Sequence, residues 1–518
     1  MTSPFAGLRT GRSPMERRKA RTEDVTSVLG ALRDPRRLRT EVLAALVVAL
    51  ALVPEAISFS IIAGVDPRVG LFASLTMAVS IAFLGGRPAM ISAATGAVAL
   101  VIAPVMRDHG MDHLIATVIL AGVIQVVLGA LGVARLMRFI PRSVMVGFVN
   151  ALAILIFLAQ LPYLTDVPSM VYAMAAVGII VMVLLPKLTT AVPAPLVAIV
   201  VLTTVTVAFA IDVPDVGDQG ELPDSLPALF LPDVPLTLET LQVIGPFAVA
   251  MALVGLMESL MTAKLVDDVT DTHSDTTEPH AEKTREAWGQ GVANVVTGFF
   301  GGMGGCAMIG QTMINVKASR ARTRISTFLA GLFLLVLVVG FGDLIGRIPM
   351  AALVAVMVMV CVGTFDWHSV RPATLRRMPK SETTVMLATV VVTVLTNNLA
   401  WGVLTGVVVA AVMFVNRVAH FTRVVEVDHP EEDTRVYAVV GELFWASSND
   451  LVYQFDYTGD PRNVVIDMSQ SHIWDASTVA TLDAITTKYA ERGKRVTITG
   501  LNEASADRHT RLAGTLGG

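Results

Sequence analysis

The sequence predicts an all-α polytopic membrane protein followed by a small cytoplasmic α/β domain, and three observations carry that expectation. Hydrophobic residues make up 53% of the chain and charged residues 16%, with a mean hydropathy of +0.65, a balance suited to lipid as solvent. Apolar blocks of about twenty residues, the length of one helical crossing, recur between Val42 and Val418, where an outer-membrane barrel would show only weak alternation. After Val418 the blocks stop, and strand-like runs alternate with an amphipathic helix.

In chain order, residues 1–40 form a basic arm (Arg9, Arg12, Arg17, Arg18, Lys19, Arg21, Arg33, Arg36, Arg37, Arg39) with no apolar core. It reads as a cytoplasmic segment suited to anionic lipid, not as a signal peptide. Residues 41–423 hold about fourteen crossings, some of them broken. The loop from Asp212 to Glu239, with Asp215, Asp218, Glu221, Asp224 and Asp233 and no Lys or Arg, divides them into two halves. A cytoplasmic N-terminus leaves only Arg68, Arg107 and Arg347 of 39 basic residues outside, a strong positive-inside pattern. Arg135/Arg138/Arg142, Arg320/Arg322/Arg324 and Arg371/Arg376/Arg377/Lys380 then mark inner ends. The expected location is the inner (plasma) membrane, with both termini cytoplasmic. Residues 424–518 are the soluble domain: strands at Val424–Val427, Arg435–Val440, Val464–Asp467 and Arg495–Thr499, and a helix over Thr478–Ala490.

Each half is interrupted near its third span. In the first, Gly85-Gly86-Arg87-Pro88 leads through Ser92 into Ala94-Thr95-Gly96; in the second, Gly304-Gly305-Cys306-Ala307-Met308-Ile309-Gly310 leads into Gln311-Thr312. Paired breaks at matching places point to an inverted-repeat transporter. The chain is uncharged from Ala287 to Val316 between basic ends on one side. Thirty residues are too few for two crossings of about twenty each, so a short helix, an extended glycine-rich piece and a half-helix are expected. Two half-helices beginning near Thr95 and Met308 would offer free backbone N–H groups and positive dipole ends, an anion site without Lys or Arg. Close helix packing by small residues is the plainer alternative.

Glu258 is the only charge between Thr240 and Ala263, and an acid inside a span needs a partner, a cavity or a moving ion. Thr262 follows one turn later on the same face, so carboxylate and hydroxyl could share a cation; a raised-pKa acid could instead carry a proton. Lys264 is only about 9 Å along the helix, so snorkelling to the surface is the bland reading. In the first span, Glu55 follows the helix breaker Pro54. It either borders a cavity or satisfies a neighbouring donor.

Other features point to little chemistry. Cys306 and Cys361, both in apolar surroundings, make no disulfide framework or zinc site. The loop His273–His280, with Asp275 and Glu278, has no tight metal-ligand spacing and reads as a solvated acidic loop. HExxH, GxSxG and P-loop motifs do not occur, so no enzyme, no organic cofactor and no nucleic-acid partner are expected.

At Leu52-Val53-Pro54-Glu55-Ala56-Ile57-Ser58-Phe59, Ala63 to Leu71, Ser143 to Asn150, Glu258 to Ala263 and Gly289 to Asn294, the chain resembles the sulfate permease (SulP) family of anion transporters. That resemblance implies a seven-plus-seven inverted repeat with core and gate domains, a homodimer and an elevator motion. It places Glu55 and Phe59, Ala94, Thr95 and Gly96, and Ala307, Met308, Ile309, Gly310 and Gln311 at the anion, and Glu258 and Thr262 at a coupling H⁺ or Na⁺. Many relatives have Gln where Glu55 stands, which keeps bicarbonate and dicarboxylates beside sulfate as substrates. The tail, with Val464 to Ser469 and Asp475-Ala476-Ser477-Thr478, resembles a STAS domain, in which Ser477 matches a phosphorylated serine; either Asp475 or Ser477 could be a helix cap here. The leading expectation is a secondary active transporter of a small anion. An uncoupled exchanger or channel-like pathway, and a membrane sensor signalling through the STAS domain, are the alternatives.

Overall fold

The computed structural model describes residues 26–133, 140–189, 193–223, 225–235, 237–270, 279–427 and 433–515. The first 25 residues, Arg135, Arg138, Asp224 and positions 273–278 of the histidine loop lie outside these. Two compact units divide between Gly406 and Val407.

The first unit is helical. Asp34 accepts from the Arg36 N–H, and Pro35 at the first helical position starts α1 (Pro35–Ala63), which ends at Gly64 with φ 76°. Pro67 likewise opens α2 (Pro67–Leu84). The extended piece β1 (Ser92–Ala93) leads into α3 (Gly96–Ala130). At 35 residues, α3 is too long for one pass of a core about 30 Å thick. Gly110 breaks it with φ 82° and ψ −174°, a conformation that side chains resist. Then come α4 (Arg142–Gln160), α5 (Ser169–Leu188) and α6 (Ala194–Ala208). The second half holds α7 (Leu238–Thr270), α8 (Pro279–Phe299), the extended β2 (Cys306–Ala307) and α9 (Ile309–Met313), which continues as a π turn over Ile314–Ala318. It closes with α10 (Arg324–Gly340), α11 (Met350–Thr364), α12 (Lys380–Thr396) and α13 (Leu399–Ala419), whose residues from Val407 onward are counted with the second unit.

Seven of the described helices are long and apolar enough to cross a membrane, and α6, α10 and α11 are shorter apolar helices. The halves interleave: α3 packs on α7 and α8, and α1 and α2 on α10, whereas α4 packs on α11 and α12, and α5 on α11. Large apolar side chains such as Val177, Ile180, Leu184, Phe209 and Leu395 remain exposed, as lipid-facing surface requires.

The acidic loop lies across one end of this unit. Val216 N–H donates to the Ile348 carbonyl at 2.9 Å and Met350 N–H to that of Pro214 at 2.8 Å, while Glu221 pairs with Arg68 and Phe230 N–H donates to Phe299 O at 2.7 Å. At the opposite end Arg87 forms a two-bond pair with Asp267, at 2.6 and 2.8 Å. Arg324 and Arg285 there donate to the last carbonyls of α2, at Ile81, Ala82, Phe83, Leu84 and Gly85, where cations suit the helix dipole.

One helix differs from the sequence expectation. The charge-free stretch 287–316 does contain a helix, an extended piece and a helical start, but α8 begins at Pro279, among charged residues, and is 21 residues long. Glu286 explains this: it is fully buried, and accepts from Gly86 N–H at 2.6 Å, Arg87 N–H at 3.3 Å and Gln290 Nε2 at 2.8 Å.

The second unit contains a four-stranded sheet ordered β3 (Arg423–Val427), β4 (Thr434–Leu443), β5 (Asn463–Ile473), β6 (Arg495–Thr499). The β3–β4 pair is antiparallel and the other two are parallel. Helix α14 (Ala476–Ala490) packs Val479, Leu482, Ile485 and Tyr489 into a core with Val439, Leu443, Ile466 and Met468. Buried Asp460 accepts from the hydroxyls of Tyr437 and Tyr489. Desolvation, and then the hydrogen bond to this carboxylate, pushes the Tyr437 phenol up to about 12. Asp475 is the cap of α14, accepting from Thr478 N–H at 3.0 Å, and Ser477 lies exposed in the first turn.

In the first unit, a Cβ on Gly305 would land on the carbonyl oxygen of Ala93, whereas one on Gly310 meets nothing within 4 Å. Gly305→Ala is expected to abolish recovery of monodisperse protein by size-exclusion chromatography, and Gly310→Ala to leave recovery unchanged.

Candidate functional site

The site is built on one short antiparallel pairing inside the helical unit. Ser92 pairs with Ala307 and Ala93 with Cys306. Because the two pieces run in opposite directions, α3 and α9 start within a few residues of the same point and leave it on opposite sides. Thr95 caps α3, its hydroxyl accepting from Val98 N–H at 3.4 Å. The half-helix starts expected near Thr95 and Met308 are therefore present and adjacent.

The backbone around the pairing is satisfied by side chains from four helices. Ala94 N–H donates to Ser74 Oγ (3.2 Å), Ala307 N–H to Ser259 Oγ (3.1 Å) and Ile91 N–H to Thr312 Oγ1 (3.0 Å). Gly304 holds φ 74°. Asn294 clamps Gly305 from both sides, accepting from its N–H at 2.8 Å and donating to its carbonyl at 3.1 Å; it also donates to Gln125 Oε1 at 2.9 Å. Gln290 donates to Ser92 Oγ at 2.7 Å.

Glu258 is 7% exposed and accepts from the Cys306 thiol at 2.9 Å, and that sulfur shares a 3.1 Å hydrogen bond with Thr95 Oγ1. A chain of three groups thus joins Glu258 of α7 to the cap of α3. Thr262 is fully buried beside them, but its hydroxyl donates to backbone carbonyls, Glu258 at 2.8 Å and Ala307 at 3.4 Å, and not to the carboxylate. Glu55 is half-buried and accepts from Gln311 Nε2 at 2.8 Å. Phe59 is buried, and its ring edge leaves no room for a side chain on Gly96: a Cβ there would be 2.9 Å from Phe59 Cε1 and 2.8 Å from Ile156 Cδ1. Ala94, Ala307 and Met308 are buried; Ile309 is half-buried and Gly310 exposed, so the start of α9 borders open space.

All the positions expected at the anion and the coupling ion thus lie in or beside one region of α1, α3, α7 and α9. Sequence reading missed Glu286, Gln125 and the Arg87–Asp267 pair as working groups. A signal did exist: Glu286, Gln290 and Asn294 recur every four residues, a polar stripe on one face of α8 that runs on into its apolar part. Ser477 belongs to the second unit.

Broken helices that start side by side near the buried Glu258, in a bundle of long apolar helices followed in the chain by an α/β unit, define a membrane transport protein. A family model described as the sulfate permease family matches residues 38–183 and 165–389, and one for the STAS domain matches residues 425–514. The chain belongs to the sulfate permease family and ends in a STAS domain. It is 52% identical over 90% of its length to a Bacillus subtilis (strain 168) protein named "Putative sulfate transporter YbaR", covering 95% of that relative. The transmembrane domain of the cyanobacterial bicarbonate transporter BicA superposes with a TM-score of 0.62 at 25% identity, over 71% of this chain and 98% of that one. Murine Solute Carrier 26 family member A9, an anion transporter solved in the inward-facing state, gives 0.76 at 16% identity over 98% and 92%, a likeness of fold.

Replacing Asn294 by Ala would leave the Gly305 N–H and Gln125 Oε1 buried without these bonds. At about 1–3 kcal/mol for each of these two orphaned groups, Asn294→Ala should lower stability by about 2–6 kcal/mol. A thermal-unfolding midpoint unchanged from the wild type in detergent would remove the clamp from the account.

Proposed function

We propose that this protein is a secondary active transporter of a small anion, bicarbonate, sulfate or a similar oxyanion, driven by H⁺ or Na⁺ through Glu258. The observation that carries this reading is the adjacency of the α3 and α9 starts, which puts backbone N–H groups and positive dipole ends together with no Lys or Arg between them. Weak, reversible anion binding is what a transport cycle needs. The names of YbaR and BicA support sulfate and bicarbonate as candidates.

The helices support the expected seven-plus-seven arrangement. Counting α3 as two passes about Gly110, the segments from α1 to α6 make seven, and α7 to α13, with α9 and its π turn as one, make seven more. β1 and β2 precede the third and tenth of these. An elevator motion would carry the bundle of α1, α2, α3, α7, α8, α9 and α10 against that of α4, α5, α6, α11 and α12, two groups whose helices pack chiefly among themselves. The arginine-rich end then lies in the cytoplasm and the acidic loop outside. A homodimer in the inner (plasma) membrane completes the reading.

Of the two coupling ions, H⁺ is favoured by the Cys306 thiol on Glu258. A hard cation takes oxygen ligands and gains little from sulfur. Purified protein in liposomes with imposed pH and Na⁺ gradients tests this. Anion uptake should follow the pH gradient, and Glu258→Gln should lose the gradient dependence. Full gradient-driven uptake by that variant removes Glu258 from coupling, and uptake following Na⁺ alone makes it a cation ligand. Flux indifferent to both gradients favours an uncoupled exchanger. No flux of sulfate, bicarbonate or dicarboxylates favours a sensor signalling through the STAS domain.

A further inference from the structure

The geometry points to the Glu55–Gln311 pair as a selector for anions that carry a hydrogen of their own, bicarbonate being the simplest, over nitrate and sulfate. This rests on the anion-transport reading above.

The side chain of Gln311 spends its amide N–H₂ on Glu55 Oε1 at 2.8 Å. Its carbonyl oxygen is buried, in a residue 1% exposed, and has no hydrogen-bond partner among the described residues. A buried acceptor left without a donor is costly, so a ligand that supplies the donor gains from this position.

The neighbouring hydroxyls do not supply it. Thr312 Oγ1 is bonded to the Ile91 main chain, Thr262 Oγ1 to main-chain carbonyls, and Thr95 Oγ1 to Cys306. Glu55 adds further acceptor capacity, since Gln311 occupies only one of its carboxylate oxygens and the residue is half-buried. The side chains of α1 and α9 therefore offer acceptors, while the donors come from backbone at the start of α3, whose first intrahelical bond is Ala99 N–H to Thr95 O.

A ligand that satisfies both sides has anionic oxygens for the amides and an O–H for Gln311 or Glu55. Bicarbonate has both. Nitrate has the same planar shape and single charge but no hydrogen, so it leaves the Gln311 carbonyl unpaired. Sulfate lacks the hydrogen and brings a second negative charge towards Glu55. A site built to bond a ligand hydroxyl rejects the analogue lacking it more strongly than a site that merely fits it.

The test uses the full chain in liposomes at pH 8, with bicarbonate, nitrate and sulfate offered separately and in competition to wild type, Glu55→Gln and Gln311→Leu. Wild type should prefer bicarbonate over nitrate by about tenfold or more, the effect of one orphaned acceptor. Each variant should lower that ratio about tenfold. Equal transport of nitrate and bicarbonate by wild type, or an unchanged ratio in folded Glu55→Gln, overturns the selector while leaving anion transport standing. Absence of flux for all three anions overturns the transport reading as well. If the variants fail to fold, the wild-type ratio of bicarbonate to nitrate decides alone.

Discussion

The pairing of Ser92–Ala93 with Cys306–Ala307 is the contact on which the helical unit depends. Extended backbone inside an apolar bundle cannot turn to water, and each unpaired amide or carbonyl there costs several kcal/mol, of order 4–8 against a purely apolar phase. Neither extended piece is tolerable by itself. Together they satisfy one another, and Ser74, Ser259, Asn294 and Thr312 take up the flanking amides. The Ala93 carbonyl then lies so close to Gly305 that only glycine fits there. Antiparallel pairing also fixes the direction in which α3 and α9 depart, so the adjacency of their N-terminal ends follows from a requirement of backbone hydrogen bonding.

The charged groups divide into those that hold the frame and those left at the centre. Glu286 is buried, but three hydrogen bonds from Gly86, Arg87 and Gln290 fasten it to the turn after α2 and to its own helix. Arg87 is in turn fixed by two bonds to Asp267. Removing either partner of a buried pair leaves a charge stranded, which makes these groups a rigid support. Glu55 and Glu258 differ, each accepting one side-chain hydrogen bond, from an amide and a thiol. Sparse pairing leaves an acid capacity for another partner, and the two sparsely paired acids are the ones on the helices that flank the paired breaks.

Legibility in the sequence followed the range of the interactions. Local signals were readable: the start of α3 at Thr95-Gly96, the extended Gly304–Ala307 piece, and the tail strands, whose cores fell inside the observed β3 to β6. Glu258 stood out because an isolated charge in an apolar run is expensive. What escaped were contacts between residues distant in the chain, such as Asn294 with Gln125 across 169 positions and Gln290 with Ser92 across 198. Glu286 was hidden for another reason. It sits at the charged edge of a hydrophobic block, where composition suggests solvent and only the approach of Gly86 and Arg87 reveals burial. The Thr262 hydroxyl shows the converse error: one-turn spacing correctly put it beside Glu258, but back-bonding to the helix carbonyl competes for its proton.

Substrate identity is a question on a finer scale than family or fold. A relative 52% identical is named for sulfate and a solved domain 25% identical for bicarbonate, yet both anions suit a pair of helix N-termini, because backbone amides read only negative oxygen. Discrimination has to come from the side chains that complete the site, and here those side chains present acceptors. The distinction between Glu and Gln at position 55 changes one donor for one acceptor and one charge for none, without altering the backbone that brings the site together. Overall identity therefore tracks the scaffold, whereas in the proposed site specificity would be set by a few atoms on α1 and α9.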